Sequence, residues 1–148
     1  MLTVRIQKLP HGIDLPLPAK HSSDAAGFDL CAAVEAEVTL APMQITLVPC
    51  GFAIAVPSGY EAQVRARSGL STKHGITLVN AVGTIDADYR GEVKLPLINL
   101  GQQPFTIRRG DRIAQMLIAP VPAVSLVEVE ALDETTRGAG GFGHTGES

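Results

Sequence analysis

The sequence predicts an all-β fold, a jelly-roll-like β-sandwich or barrel with one short helix and a flexible glycine-rich C-terminal arm. Apolar or alternating runs of strand length recur throughout the 148 residues, and turn-forming residues separate them at the spacing typical of sandwiches and barrels. The chain has no Trp and only 4% aromatic residues. Its core must therefore consist of Val, Ile, Leu and Ala, and the β-branched members of this set favour strands.

The predicted strands are short and follow one another without a long helical segment between them. They are expected at residues 3–8, 37–40, 45–48, 52–56, 60–65, 76–80, 93–100, 105–107, 112–118 and 125–129. One short helix is predicted over residues 68–74, because Ser68 can cap its N-terminus and Gly75 can end it.

The chain is long enough for one domain with a sizeable core and too short for two ordinary domains. Residues 1–136 are predicted to form the β domain, and residues 137–148 a mobile arm. The arm has five glycines between Arg137 and Gly146, a composition that usually indicates a frayed terminus. However, the Arg137 guanidinium suits a phosphate and Phe142 is a lone aromatic residue. The arm can therefore become ordered over a ligand that is both anionic and flat.

Charge and composition exclude several classes of protein. The formal net charge is -3 and no basic run is present, which argues against a nucleic-acid partner. The first fifteen residues contain no continuous apolar segment, so neither a secretory signal nor a membrane span is expected to begin there. We therefore expect a cytoplasmic protein without a membrane partner, with Cys31 and Cys50 as reduced packing residues. No motif typical of a zinc site occurs.

Residues 65–70 join a predicted strand to the short helix and form a candidate phosphate site. Free backbone N–H groups and the helix dipole favour an anion at such a junction. Ser68 and Gly69 permit close approach of the backbone, and Arg67 adds positive charge. An ordinary capped helix with a surface arginine explains the same residues, so this segment alone does not decide the function.

Residues 82–92 are predicted to form a strand, a tight turn and a returning strand, with acidic side chains at the bend. The main-chain groups of such a hairpin can read the edge of a pyrimidine base. Asp86, Asp88 and Glu92 are candidates for a general base or for metal-facing groups. The alternative is a solvated acidic turn. Upstream, Asp29 is expected in a loop of small residues.

Taken together and in order, these segments resemble the five motifs of the dUTPase family, and the likeness spans most of the chain. The motif residues are 26–30, 67–70, Asn80 with 83–92, 110–115 and 137–146. Two positions depart from the family pattern: Ala66, where the second motif usually has proline, and His144, where the fifth usually has serine. Neither change removes a reactive group.

The resemblance implies a magnesium-dependent hydrolase of nucleotide metabolism that splits dUTP into dUMP and pyrophosphate by in-line attack of water on the α-phosphorus. Such an enzyme limits incorporation of uracil into DNA and supplies dUMP for thymidylate synthesis. The resemblance also implies a jelly-roll homotrimer in which the arm of one subunit closes over an active site formed by the others. Two alternatives remain open: a dCTP deaminase of the same fold, and a non-catalytic jelly-roll binding protein.

The resemblance also assigns roles to individual residues. Asp86 would activate the attacking water, with Gln115 as the second catalytic residue, and Tyr89 would exclude a ribose 2′-hydroxyl. Main-chain groups would read uracil around Asn80, Thr84, Ile85 and Lys94. The triphosphate would lie against Arg67, Ser68, Gly69, Gln115, Arg137, Gly143, His144 and Thr145, with Phe142 stacked on the base. Mg²⁺ would be held by phosphate oxygens and water, with Asp29 acting through water.

Overall fold

The structure is a computed structural model and describes residues 1–146. Its strands are β1 (Arg5–Lys8), β2 (Phe28–Cys31), β3 (Val38–Leu40), β4 (Ile45–Ala55), β5 (Tyr60–Arg65), β6 (Ile76–Leu78), β7 (Gly83–Ile85), β8 (Glu92–Asn99), β9 (Phe105–Ile107) and β10 (Arg112–Pro120). The helices are one α-helix, α1 (Ser68–His74), and a 3-10 turn (Pro10–Gly12). Within residues 1–146, no helix has the length and apolar composition needed to cross a membrane. The last two residues of the predicted arm, 147–148, lie outside the described residues.

The strands form two four-stranded antiparallel sheets around one core. The first sheet has the order β1-β4-β8-β6 and the second sheet the order β2-β10-β5-β7, while β3 and β9 pair separately. Buried side chains from both sheets form one cluster, among them Leu30, Val64, Ile85, Val93, Leu97, Ile113 and Met116. Each such side chain contributes about 1.5–3 kcal/mol by leaving water. The prediction of an all-β jelly-roll fold with one short helix is confirmed.

Strand β5 shows how the sequence selects the buried face of the second sheet. Ala62 and Val64 are buried, whereas Gln63 and Arg65 alternate with them and point to the outer face. On that face Arg65 donates from Nη2 to Gln63 Oε1 at 2.6 Å. Gln115 pairs in register with Arg65, so its side chain also lies on the outer face.

The predicted strands differ from the structure in three places. The strands predicted at residues 45–48 and 52–56 are one strand, β4 (Ile45–Ala55), because a bulge with Gly51 at φ 73° bends the strand without ending it. Strand β2 is absent from the predicted set, and Asp29, expected in a loop, lies within it. The strand prediction for residues 125–129 is wrong: this segment has no strand, since it pairs with no other part of residues 1–146.

Helix α1 has the predicted bounds but not the predicted cap. Arg67 occupies the N-cap position without a side-chain capping bond, and Ser68 is the first helical residue. At the other end Gly75 has φ 71°, and its N–H donates to Ser71 O at 3.0 Å. A Cβ at Gly75 would lie 2.4 Å from the backbone nitrogen of Gly101. Only glycine therefore fits this helix end.

Regular structure ends at Pro120, and residues 121–146 contain neither helix nor strand. Their side chains are mostly exposed, including the apolar residues Val124, Leu126, Val127 and Leu132.

The two cysteines, Cys31 and Cys50, are both free thiols. Burial raises the pKa of the Cys50 thiol, so this residue packs as a small apolar group with little thiolate character.

Candidate active site

The two strands of the predicted hairpin at residues 82–92 belong to different sheets, so the hairpin prediction is wrong in this respect. Strand β7 pairs with β5 in the second sheet, whereas β8 pairs with β4 and β6 in the first. The connection therefore crosses between the sheets, and beside it lies a cavity of about 330 Å³, which we call the inter-sheet pocket. Its lining includes Val64, Leu78, Asn80, Thr84, Ile85, Asp86, Tyr89, Glu92, Lys94 and Pro96. The pocket thus brings together the residues predicted to contact uracil and sugar.

Two strand edges without a neighbour flank the inter-sheet pocket. Strand β7 is the last strand of the second sheet, so one of its edges pairs with nothing in residues 1–146. Strand β6 pairs with β8 only from Leu97 to Asn99, and Val79 N–H adds a bond to Pro96 O at 2.9 Å. In the described chain, β8 residues 92–95 therefore also lack a strand partner on this side. Backbone donors and acceptors at these edges can bind a flat, polar ligand edge.

Asp86 and Tyr89 lie on the bend that follows β7. The Asp86 side chain is exposed directly after β7. The Tyr89 N–H donates to the Asp86 carbonyl at 3.1 Å, and this bond closes the turn. Arg90 Nη1 donates to the carbonyls of Ala87 at 2.7 Å and Tyr89 at 2.9 Å. The Tyr89 hydroxyl donates to Glu92 O at 2.9 Å. The bend is therefore held by one backbone bond and by the side chains of Tyr89 and Arg90, and the Asp86 carboxylate takes part in none of these bonds.

Gly91 lies beneath the Tyr89 ring. A Cβ at this position would lie 2.4 Å from the Tyr89 hydroxyl and 2.6 Å from the ring carbon Cζ. The ring can lie back across the bend only because residue 91 has no side chain.

A second group of predicted residues lies on the outer face of the second sheet. Asp29 forms ion pairs with Arg67 (Oδ1 to Nε, 3.3 Å) and with Arg112 (Oδ2 to Nη1, 3.4 Å). Arg67 also donates to the Arg112 carbonyl at 2.9 Å. Only 19% of the Asp29 side chain is exposed, so the two arginines compensate a carboxylate that is largely withdrawn from water. We call Asp29, Arg67 and Arg112 the arginine cluster.

Gln115 lies beside the arginine cluster. It pairs in register with Asp29 on one side and Arg65 on the other, and its Nε2 donates to Ala66 O at 3.0 Å. A Cβ at Gly27 would lie 2.4 Å from Gln115 Oε1. Gly27 therefore leaves the space that the Gln115 amide occupies.

Ser68 and Gly69 follow Arg67 at the start of α1, and both are exposed. A Cβ at Gly69 would have nothing within 4 Å. The backbone beside the arginine cluster is therefore open to a ligand.

The inter-sheet pocket and the arginine cluster are separate within one chain. Ile85, which lines the pocket, pairs with Ala62, whereas Gln115 pairs with Arg65. Three residues along β5 and two strand spacings across the sheet place the backbones of Ile85 and Gln115 ~14 Å apart. Ile85 is buried between the sheets, whereas Gln115 lies on the outer face. Asp86 directly follows Ile85 in the chain. Within one chain, the structure therefore does not bring the two predicted catalytic residues, Asp86 and Gln115, into one site.

The described part of the arm, residues 137–146, forms hydrogen bonds within itself. Arg137 Nε donates to Gly140 O at 2.7 Å, and Phe142, with φ 52°, is fully exposed. None of residues 137–146 lines the inter-sheet pocket. A separate cavity of about 610 Å³ is lined by Thr136, Arg137, Gly141, Gly143, His144 and Thr145.

The structure adds Arg112 to the predicted site residues and changes the interpretation of Glu92. Arg112 was not assigned a role, although its place within residues 110–115 of the fourth motif was a usable signal. Glu92, a candidate base or metal-facing group, accepts a hydrogen bond from Gly51 N at 3.1 Å and contacts His11. Its carboxylate is thus already bonded within the fold.

A pocket beside an exposed carboxylate, with arginines and a glycine-rich arm on the same chain, is typical of an enzyme that acts on a phosphorylated small molecule. The dUTPase family model matches residues 14–146. The chain therefore belongs to the dUTPase family, and its reaction is the hydrolysis of dUTP.

Solved structures show the same fold over nearly the whole chain. The dUTPase of Staphylococcus bacteriophage 80alpha with dUPNHPP has a TM-score of 0.87 and 25% sequence identity, covering 98% of this chain and 99% of that chain. A mutant dUTPase from phage phi11 of S. aureus, solved with attention to the coordination of a structural Mg(II) ion, has a TM-score of 0.77 and 23% identity. That match covers 87% of this chain and 97% of that chain, and it supports the fold alone.

Proposed function

We propose that this dUTPase is a homotrimer that splits dUTP into dUMP and pyrophosphate at three active sites, each shared between subunits. The observation that carries the proposal is the separation of the inter-sheet pocket from Gln115: the backbones of Ile85 and Gln115 lie ~14 Å apart, and Ile85 is buried between the sheets whereas Gln115 lies on the outer face beside the arginine cluster. A general base and the residues that bind the phosphates must act on the same α-phosphate within a few ångströms. A neighbouring copy supplies the half that a single chain holds too far away.

The inter-sheet pocket is the proposed site for uracil and deoxyribose. Its volume of about 330 Å³ is at the lower end of the range for small-ligand sites. Backbone groups around Asn80, Thr84, Ile85 and Lys94 supply donors and acceptors for the base. A methyl group on the base finds no space, and the amino group of cytosine meets the wrong partners. Unpaired buried polar groups discriminate strongly between ligands.

Asp86 is the proposed general base. It is exposed where the bend meets the pocket, so an attacking water can reach its carboxylate. As the water oxygen bonds to the α-phosphorus, its proton passes to Asp86 and the bond to the leaving pyrophosphate breaks in line. Arg67 of a neighbouring copy neutralises the charge that develops on the phosphate oxygens, and Gln115 of that copy donates a hydrogen bond to them.

Residues from two further elements complete the proposed triphosphate site. On the outer face these are Arg67, Ser68, Gly69 and Gln115. The arm contributes Arg137, Gly143, His144 and Thr145, with Phe142 stacked on uracil. Closure of the arm removes water from the reacting phosphates, which strengthens every electrostatic contact with them.

Mg²⁺ is the proposed cofactor, and the donor set of the chain fits a metal carried by the substrate. Within residues 1–146, no three His, Cys, Asp or Glu side chains are grouped to hold a metal. Asp29 is already paired with two arginines, which fits a role through water rather than direct ligation. When bound, Mg²⁺ would offset part of the negative charge of the triphosphate.

The segment between β10 and the arm supports the trimer. Val124, Leu126, Val127 and Leu132 are 73%, 95%, 76% and 84% exposed, and several exposed apolar side chains in one segment are typical of a protein contact. A neighbouring subunit would cover them. In the proposed trimer, residues 1–136 form the β domain and residues 137–148 form the arm.

The location of the protein is proposed to be the cytoplasm. The two free thiols, Cys31 and Cys50, fit a reducing compartment of this kind.

Pyrophosphate release from dUTP, dCTP, dTTP and UTP, measured with and without Mg²⁺, tests the proposed function. We expect turnover of dUTP with Mg²⁺ and little turnover of the other three. Ammonia release from dCTP would indicate a deaminase, and binding of dUTP without turnover a non-catalytic protein. Sedimentation equilibrium tests the trimer independently.

Tyr89→Ala should admit UTP, because the ring is proposed to occupy the space of a ribose 2′-hydroxyl. We expect the ratio of kcat/KM for dUTP over UTP to fall roughly 10- to 100-fold. Tyr89→Phe is the comparison, since it retains the ring but loses the hydroxyl bond to Glu92, and its ratio should fall only about fivefold. An unchanged ratio in Tyr89→Ala would show that sugar selection depends on other residues.

Gly27→Ala should lower kcat by displacing the Gln115 amide, because the added Cβ would lie 2.4 Å from Gln115 Oε1. The expected loss is about tenfold to hundredfold, the effect of a small displacement of a substrate-contacting group. The same substitution in a Gln115→Ala background has no amide to displace and should cost little more. Equal losses in both backgrounds would contradict this explanation.

A further inference from the structure

The 3-10 turn of residues 10–12 contacts the start of β8 through one side-chain pair. His11 Nε2 hydrogen-bonds Glu92 Oε1, and the exposed fractions of the two side chains are 33% and 13%. The same carboxylate oxygen accepts a bond from Gly51 N at 3.1 Å. Three segments that are distant in sequence therefore meet at one carboxylate.

The bulge of β4 makes this meeting possible. Its Gly51 has φ 73°, and a Cβ at Gly12 would lie only 2.3 Å from Gly51 O. The turn therefore packs directly on the bulge, backbone against backbone. This contact brings His11 to Glu92 just where β8 pairs with Ala53 beyond the bulge.

Glu92 connects this contact to the active site. Its backbone carbonyl accepts the Tyr89 hydroxyl at 2.9 Å, and both Glu92 and Tyr89 line the inter-sheet pocket. We propose that His11 is a positioning residue for recognition of deoxyribose: it fixes Glu92, and Glu92 fixes the Tyr89 ring. This inference depends on the role proposed for Tyr89 in excluding ribose.

The turn itself does not need the His11 side chain. Arg109 Nη2 donates to the His11 carbonyl at 2.6 Å and to Asp14 Oδ1 at 2.6 Å. Neither bond involves the His11 side chain, so its substitution leaves both in place. A variant at His11 should therefore fold, and its effect should appear at the pocket.

The test compares kcat and KM for dUTP and for UTP in His11→Ala, His11→Gln and the control His21→Ala, a change at an exposed histidine. His11→Ala should lower the dUTP over UTP ratio of kcat/KM roughly fivefold, the scale of one lost hydrogen bond. His11→Gln should restore much of the ratio, because its amide can still donate to Glu92. His21→Ala should leave the ratio unchanged.

A double-variant experiment separates positioning from a general structural loss. Tyr89→Phe already removes the hydroxyl bond to Glu92, so His11→Ala added to it should change the ratio little further. Effects that multiply would overturn the inference. If Tyr89→Ala changes the ratio and His11→Ala does not, the role of His11 alone is wrong. If neither changes it, the roles proposed for both residues are wrong.

Discussion

Asp86→Asn is expected to lower kcat for dUTP roughly 10²-fold or more while nucleotide binding and the trimer are retained, the usual scale for loss of a general base. Asparagine has nearly the same shape as aspartate, but its amide cannot accept the proton of the attacking water. Because Asp86 is exposed and the bend is closed by bonds of Tyr89 and Arg90 that do not use the Asp86 carboxylate, the fold should not change. Pyrophosphate release and the Kd of a non-hydrolysable dUTP analogue measure the two effects separately.

Asp88→Asn is the matched control for this experiment. Asp88 lies two residues further along the same bend and is also exposed, so the charge change is identical and the position differs. We expect its turnover to remain close to that of the wild type. Near-normal turnover in Asp86→Asn would move the general base elsewhere, and a large loss in Asp88→Asn would then identify it.

The strands were predictable where alternation of apolar residues sets the buried face. In β5, Ala62 and Val64 alternate with polar residues, and the predicted and observed bounds agree. Strand β2 has only one fully buried side chain, Leu30, and begins after a run of small residues, so its pattern is too short to detect. Its pairing with β10 is a tertiary contact that no local pattern contains.

The same limit explains the incorrect hairpin. Local turn chemistry correctly places a bend after β7, but the identity of each strand's partner depends on segments elsewhere in the chain. Strand β8 lies between β4 and β6 in the first sheet, and those pairings outcompete a return to β7. The inter-sheet pocket exists because the connection crosses between sheets, so its shape could not be predicted from residues 82–92 alone.

For the candidate site, motif order predicted the residue types but not their distribution over two faces. The contact between His11 and Glu92 joins positions 81 residues apart, and the ion pair between Asp29 and Arg112 joins positions 83 apart. Neither pair has a local sequence signal. Because the faces of a sheet follow from register, the separation of Asp86 from Gln115 becomes visible only when the pairing of β5, β7 and β10 is known.

Removal of the arm is the other change expected to have a large effect. A chain that ends before Arg137 should keep its trimer and thermal stability, since residues 137–146 contribute no strand and bond mainly among themselves. Turnover of dUTP should nevertheless fall roughly tenfold or more, because the arm is proposed to position the phosphates and exclude water. Phe142→Ala should reproduce part of this loss, mainly in KM, if stacking on uracil draws the arm closed.

The proposed closure of the arm should be reversible, because ordering costs ~1–2 kcal/mol per residue and its glycines offer few apolar contacts in return. Contacts of Phe142 with the base and of Arg137 with the phosphates would offset this cost only while nucleotide is bound. Tryptic cleavage at Arg137 should therefore slow when a non-hydrolysable dUTP analogue and Mg²⁺ are added, and it should not slow with Mg²⁺ alone. If the truncated chain hydrolyses dUTP at the wild-type rate, the arm has no part in catalysis and is the frayed terminus that its composition suggests.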